Sequence, residues 1–180
     1  RGREIDAIDY ILNQIPDQNI RKIPEDIHVE GGDVIVHDEF LFVGFYDQPD
    51  YSDYVTARTN SKALSYLSQQ FPQKKVIGFE LNKSNDDPYA NTLHLDCCFQ
   101  PFGNQLAIVC RKGFMHQEDI EWIENHFESD NVFFTDQKSM FEMQSNLLSV
   151  RPDLVISDPS FTAVNKWLNA KGIQIDTVPY

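Results

Sequence analysis

Two strings of this chain have residue types that could move protons: Glu30-Gly31-Gly32-Asp33 and Leu93-His94-Leu95-Asp96. If the second string is an extended strand, side chains alternate between faces, so His94 and Asp96 share one face while Leu93 and Leu95 point to the other. Gly31 and Gly32 remove two Cβ atoms directly after a carboxylate, which lets the backbone bend or lets another group come close to Glu30. A carboxylate and an imidazole presented this way are the parts of a general acid–base site. A plainer reading stands beside it: a turn glycine pair, and a histidine satisfied by the aspartate next to it. The two strings together, the second running on into Cys97-Cys98-Phe99-Gln100-Pro101, favour function.

The elements that must position these residues follow from apolar spacing. Ile5, Ile8, Ile11, Leu12 and Ile15 recur at helical intervals up to Pro16, and Asn19 to Ile23 reads as a short strand. Val34 to Val36 and Phe40 to Phe45 form a hairpin turned by His37-Asp38-Glu39. A helix follows from Asn60 or Ser61, with Leu64, Leu67 and Phe71 on one face, and ends at Pro72 before a strand over 75–81. The same order returns. Leu93 to Phe99 and Gln105 to Cys110 make a hairpin across Pro101-Phe102-Gly103-Asn104, a helix from Gln117 to Phe127 carries Ile120 and Ile123, and Val132 to Phe134 closes the unit. A third copy spans Asn146 to Val178. Its helix bears Val164, Trp167 and Leu168, with Ser157 or Asp158 as cap, Pro159 in the first turn and Gly172 past the end.

The expected class is therefore α/β, built from repeated strand-strand-helix-strand units around an axis or along a line. The expected division is 1–24 as the end of one unit, then units at 25–82, 83–138 and 139–180. Arg1 in place of an initiator Met suggests the middle of a longer protein. Terminal units of such an array expose apolar faces unless a second copy or a complementing segment covers them.

Composition narrows the partners. The 180 residues contain 41% hydrophobic and 12% aromatic residues, the mark of a globular chain. Acidic residues outnumber basic ones 28 to 15, for a net charge of −13. Such a surface argues against nucleic acid and against an anionic membrane, and suits a cationic small molecule. No apolar run approaches the roughly 20 residues of a membrane span, and there is no signal-peptide core. Three cysteines, two of them adjacent, do not make a disulfide framework, so reduced thiols in a cytoplasm are expected.

Glu30-Gly31-Gly32-Asp33, Arg58-Thr59-Asn60, His94-Leu95-Asp96 and Ser145-Asn146-Leu147, in this order on successive units, resemble the motifs of the guanidino-group modifying, or pentein, superfamily. The likeness covers essentially the whole chain and leans toward bacterial amidinotransferase and arginine deiminase relatives. It implies a five-bladed propeller of ββαβ units, of which about three and a third are present. It also implies an amidinotransferase or a guanidine hydrolase in which a cysteine thiolate attacks the guanidinium carbon and a covalent amidino-enzyme is resolved by water or an amine. The substrate would be arginine or a derivative, with no cofactor and no metal.

The resemblance gives catalytic roles to His94 as proton donor and acceptor, to Glu30 as holder of the guanidinium nitrogens, and to Asp96 as a second guanidinium ligand or as orienter of the imidazole. It gives substrate-binding roles to Arg58, as clamp on a substrate carboxylate, and to Asp33 and Asn146. The segment Asp47 to Tyr54 lengthens the spacing from Glu30 to Arg58 relative to deiminases, so an ordinary structural arginine is the competing reading. The family's nucleophile falls beyond Tyr180, and the chain by itself is expected to be inactive. Cys98 would share a face with His94 and Asp96, but Cys97 and Cys98 read better as small packing residues, and a zinc site there would need ligands that converge. Trp122 and Trp167 read as core. His28, His37, His116 and His126 read as surface or turn residues, and Asn85-Asp86-Asp87 as a possible rim to the site. The same fold in a non-catalytic binding protein is the alternative.

Overall fold

The computed structural model describes residues 8–179. After a one-turn helix, α1 (Asp9–Leu12), the chain builds three small sheets. The first holds β1 (Val34–His37), β2 (Phe40–Phe45) and β3 (Lys75–Glu80), with helix α2 (Lys62–Gln70) between β2 and β3. The second holds β4 (Phe99–Phe102), β5 (Leu106–Cys110) and β6 (Val132–Thr135). A short helix α3 (Leu95–Cys98) precedes it, and helix α4 (Gln117–Phe127) lies between β5 and β6. Helix α5 (Gln137–Phe141) leads to the third, with β7 (Leu148–Arg151), β8 (Leu154–Ser157), helix α6 (Thr162–Ala170) and β9 (Gln174–Thr177).

Each sheet has the same pairing. The first two strands form an antiparallel hairpin and the third lies parallel to the second, as in Val34↔Val43 followed by Phe40↔Lys75. The central strand is thus enclosed on both sides, which is why β2, β5 and β8 are the near-continuous apolar runs rather than alternating ones. In β2, Leu41 and Val43 pack on Ala63 and Leu67 of α2, whereas Phe40 and Phe42 face the core shared with the second sheet. There Phe42 meets Phe99 edge-on at 5.2 Å, Phe79 meets Phe99 at 5.7 Å, and Trp122 closes the cluster. Ile108 on the opposite face of β5 joins Val155, Val164 and Leu168 in a core shared with the third sheet.

One regularity positions the site. The Gly31–Asp33 3₁₀ turn immediately precedes β1, α3 immediately precedes β4, and Asn146 with Leu147 immediately precedes β7. Antiparallel pairing puts the start of each first strand beside the end of its central strand. The polar residues therefore occupy equivalent corners of successive sheets.

Several expectations are corrected. Leu93 to Phe99 is not one strand: His94 is extended (φ −140°, ψ 167°), Leu95–Cys98 is helical, and β4 starts at Phe99. Pro101 and Phe102 lie within β4 rather than in the hairpin turn. Asn19 to Ile23 forms no strand; Asp17–Asn19 is a 3₁₀ turn, and nothing among the described residues offers this segment a ladder. α6 starts at Thr162 because Asp158 Oδ1 accepts the Ser160 N–H at 2.7 Å in a local turn that delays the helix. Gly172, at φ +79°, does follow its end. Helix α5 is an element the apolar spacing does not predict, although Asp136, which accepts from Ser139 N at 2.7 Å, is a readable N-cap. Ile5 of the first helix lies outside the described residues.

Candidate active site

The imidazole of His94 sits between two carboxylates. Its Nδ1 lies 3.4 Å from Asp33 Oδ2 and its Nε2 lies 3.6 Å from Glu30 Oε2. These are ion-pair distances, and Nδ1 is buried without a well-aligned hydrogen bond. Gly32 explains how the ring gets there: a Cβ on this residue would stand 2.8 Å from His94 Cγ, so only a glycine lets the imidazole lie on the turn. The close approach read from the glycine pair is that of His94.

Asp33 is 1% exposed and faces inward. Its Oδ2 accepts the Thr59 hydroxyl at 2.6 Å and its Oδ1 accepts the Leu95 backbone N–H at 3.0 Å. That second bond satisfies an otherwise orphaned N–H in the first turn of α3, a cap supplied from another sheet. This is the physical reason the strand reading fails at Leu95. Thr59 Oγ1 in turn accepts the Glu30 N–H at 3.1 Å, so Thr59 bridges both ends of the Glu30–Asp33 string. Asp33 is thus buried behind the imidazole, in contact with His94 Nδ1.

Glu30 is more open, with a third of its side chain exposed, and its carboxylate meets the Arg58 guanidinium at 3.2 and 3.5 Å. Arg58 Nε donates to Val55 O at 3.3 Å. The structure therefore places Arg58 in the cluster but against Glu30. Asp96 is half-buried, and its carboxylate is met by the Cys97 thiol at 3.6 Å and by Asn146. With α3 helical, Asp96 no longer shares a strand face with His94, and the carboxylate nearest the ring is that of Asp33.

Protonation follows from these contacts. The Asp33 carboxylate first, and then the charges of Asp96 and Glu30, hold His94 above the usual histidine range against the opposing effect of burial. Burial pushes Asp96 up, opposed by the charge of His94 and by hydrogen bonds from Cys97 and Asn146. All three cysteines are free and buried. Burial pushes the Cys97 thiol up to about 11 and the Cys98 thiol well above its ordinary range, and it raises Cys110 as well. Cys98 packs its Cβ over Gly113 and directs Sγ to Leu95 O at 3.4 Å. None of the three is placed to serve as a thiolate.

Sequence reasoning did not find Thr59, Lys83 or the Leu95 amide as parts of the cluster. Thr59 lay inside a quoted motif, but nothing local marks Lys83. The other histidines are more engaged than expected. His116 Nε2 stands 2.8 Å from buried Glu80, His28 Nδ1 meets the Tyr51 hydroxyl at 2.9 Å, and His126 stacks on Trp122. His37 is buried at the end of β1. Trp122 and Trp167 pack against the cores, as expected. A surface cavity of about 640 Å³ lined by Asp17, Arg21, Lys22 and Tyr66 contains none of the clustered residues, and it lacks a convergent acid–base set. No helix among the described residues is long and apolar enough to cross a membrane.

No protein-family model matches the chain. Among curated proteins it is similar to the uncharacterized protein YkgA of Bacillus subtilis (strain 168), 24% identical over 150 residues, which is 83% of this chain and 45% of YkgA. The fold resembles the product-bound N-terminal domain of ArgZ, an arginine dihydrolase from the ornithine-ammonia cycle in Cyanobacteria. That match has a TM-score of 0.71 at 18% identity and covers 89% of this chain and 53% of that one. It also resembles a mutant of AgrE in binary complex with L-arginine, with a TM-score of 0.68, 20% identity, and coverage of 87% of this chain and 21% of AgrE. A third likeness is DDAH from Pseudomonas aeruginosa complexed with citrulline, with a TM-score of 0.69, 13% identity, and coverage of 98% of this chain and 58% of that one. The chain spans about half the length or less of these proteins. The pentein resemblance read from the motifs thus holds at the level of the fold, a mixed α/β architecture of small three-stranded sheets.

Proposed function

We propose that this chain supplies the guanidinium-binding and proton-transfer groups of a guanidino-modifying enzyme acting on arginine or a close derivative. The observation that carries the reading is the imidazole of His94 held between Asp33 and Glu30, with Arg58 beside them. Glu30 already faces one guanidinium, that of Arg58, which is the chemistry asked of it with a substrate. In this reading the substrate guanidinium replaces Arg58 on Glu30, and Arg58 turns to the substrate carboxylate. Asp96 and Asn146 bind from the corners of the neighbouring sheets.

The thiolate comes from a segment outside these 180 residues. Its sulfur forms a bond to the guanidinium carbon, the His94 imidazolium gives its proton to the departing nitrogen, and the carbon–nitrogen bond breaks. Neutral His94 then takes a proton from water or an acceptor amine as that nucleophile attacks the carbon. The carbon–sulfur bond breaks and the thiolate returns. Asp33 stabilises the imidazolium throughout, a task for which a buried carboxylate at Nδ1 is suited. Water as acceptor makes the enzyme a hydrolase, and an amine makes it a transferase.

The test is turnover by the full-length protein of L-arginine, N-alkylated arginines and guanidino compounds without a carboxylate, scored by release of ammonia, amine and ureido product. The expected result is turnover of at least one carboxylate-bearing guanidino compound, lowered about 10²- to 10⁴-fold in His94→Gln. Absence of turnover across the series would remove the reading.

A further inference from the structure

Lys83 leaves β3 and reaches back under the segment that presents His94. Its Nζ donates to Thr92 O at 2.6 Å and to Leu93 O at 3.0 Å, the two carbonyls immediately before the histidine. The same neck is closed by neutral groups: Thr92 N–H donates to Asn82 O at 2.9 Å, the Thr92 hydroxyl donates to Gly113 O, and Asn82 Nδ2 donates to Lys112 O and Phe114 O. Neutral donors thus suffice to close this loop. A half-buried ammonium given to two main-chain carbonyls loses part of its hydration, a cost that a neutral donor does not carry. The charged groups around Lys83 are the Asp33 carboxylate, which lies at His94 Nδ1, and the Arg58 guanidinium.

We propose that Lys83 is a positioning residue for His94: it fixes the Thr92 and Leu93 carbonyls and so holds the segment that aims the imidazole between Asp33 and Glu30. The inference rests on the reading of His94 as the proton-transfer group. Burial pushes the Lys83 ammonium down from the ordinary lysine range, with Asp33 acting against that effect. The charged groups facing His94 are Asp33, Asp96 and Glu30, the last of them paired with Arg58.

The test follows the histidine ring resonances of the full-length protein against pH by NMR, with the His94 line assigned by its loss in His94→Gln. In Lys83→Met the His94 midpoint should fall by about half a pH unit or more, because a ring released from its aim loses part of the carboxylate contact that holds it up. The other four histidines should keep theirs, and Lys83→Arg, which retains charge and donors, should restore the wild-type midpoint. A folded Lys83→Met protein with an unmoved His94 midpoint overturns the proposal. Should Lys83→Met fail to fold, the wild type alone decides. Its His94 line should inflect a second time at the pH where the Lys83 Nζ signal titrates, and a line flat through that pH overturns the proposal. Both readouts report protonation rather than turnover, so a failed activity assay leaves this test standing on its own.

Discussion

Protonation of His94 draws it toward Asp33 and Glu30 at once, so its charge is measurable in stability as well as in turnover. Its folded-state pKa is raised above the ordinary 6.5. The stabilisation it contributes is therefore fully present below about pH 6.5 and is lost as pH rises through the folded-state value. Urea unfolding of wild type and His94→Gln should show a stability difference that is constant in acid and shrinks with rising pH; a difference that grows with pH contradicts the arrangement. Asp33→Asn should be the more damaging substitution. It weakens the bonds to Thr59 and to the Leu95 amide, at about 1.5–3 kcal/mol for a charge-assisted bond, and should lower both the melting temperature and the His94 midpoint. Arg58→Gln separates the clamp from the structural reading. As a clamp it should raise KM for L-arginine about 10- to 100-fold while leaving a guanidino compound without a carboxylate unaffected, whereas equal effects on both contradict it. At this scale Glu30 and His94 were readable as a pair from their two short strings, and Arg58 joined them only through the family resemblance. The sequence hid the orienting role of Asp33, because burial behind another sheet's histidine leaves no local mark.

Elements were legible where their cause is local. The apolar runs of β2 and β5, the helix Gln117–Phe127 and the glycine after α6 were all readable, since burial on two faces, helical spacing and a left-handed end are written in neighbouring residues. Helix α3 was not, because the carboxylate that caps it comes from Asp33, 62 positions away. Removing that cap leaves a short apolar stretch that reads naturally as strand. The same junction supplies a prediction: Gly32→Ala puts a methyl 2.8 Å from the His94 ring, and the cost of about 1–3 kcal/mol falls on the ring position rather than on the sheets. Far-ultraviolet circular dichroism should be unchanged while the His94 line moves. An unmoved His94 line in folded Gly32→Ala protein would show that the turn does not cradle the imidazole.

Across the whole molecule, three sheets repeat one pairing scheme and bring their first corners together, so residues from 30, 94–96 and 146 meet although no two of these positions are neighbours in sequence. That repetition was readable from element order. What element order could not convey is which carboxylate reaches which nitrogen, since that depends on how the sheets pack. The three cysteines present are free and buried, and burial raises their thiols. The central claim is that His94, held by Asp33 and Glu30, moves protons for chemistry at a guanidinium carbon. It is tested most directly by rapid quenching of the full-length protein with excess L-arginine, followed by intact-mass measurement and product assay in wild type and His94→Gln. The account expects an amidino-type mass increment on a cysteine outside this chain in wild type, with turnover lowered about 10²- to 10⁴-fold in His94→Gln. Undiminished turnover in His94→Gln, or turnover with the adduct on Cys97, Cys98 or Cys110, would contradict it.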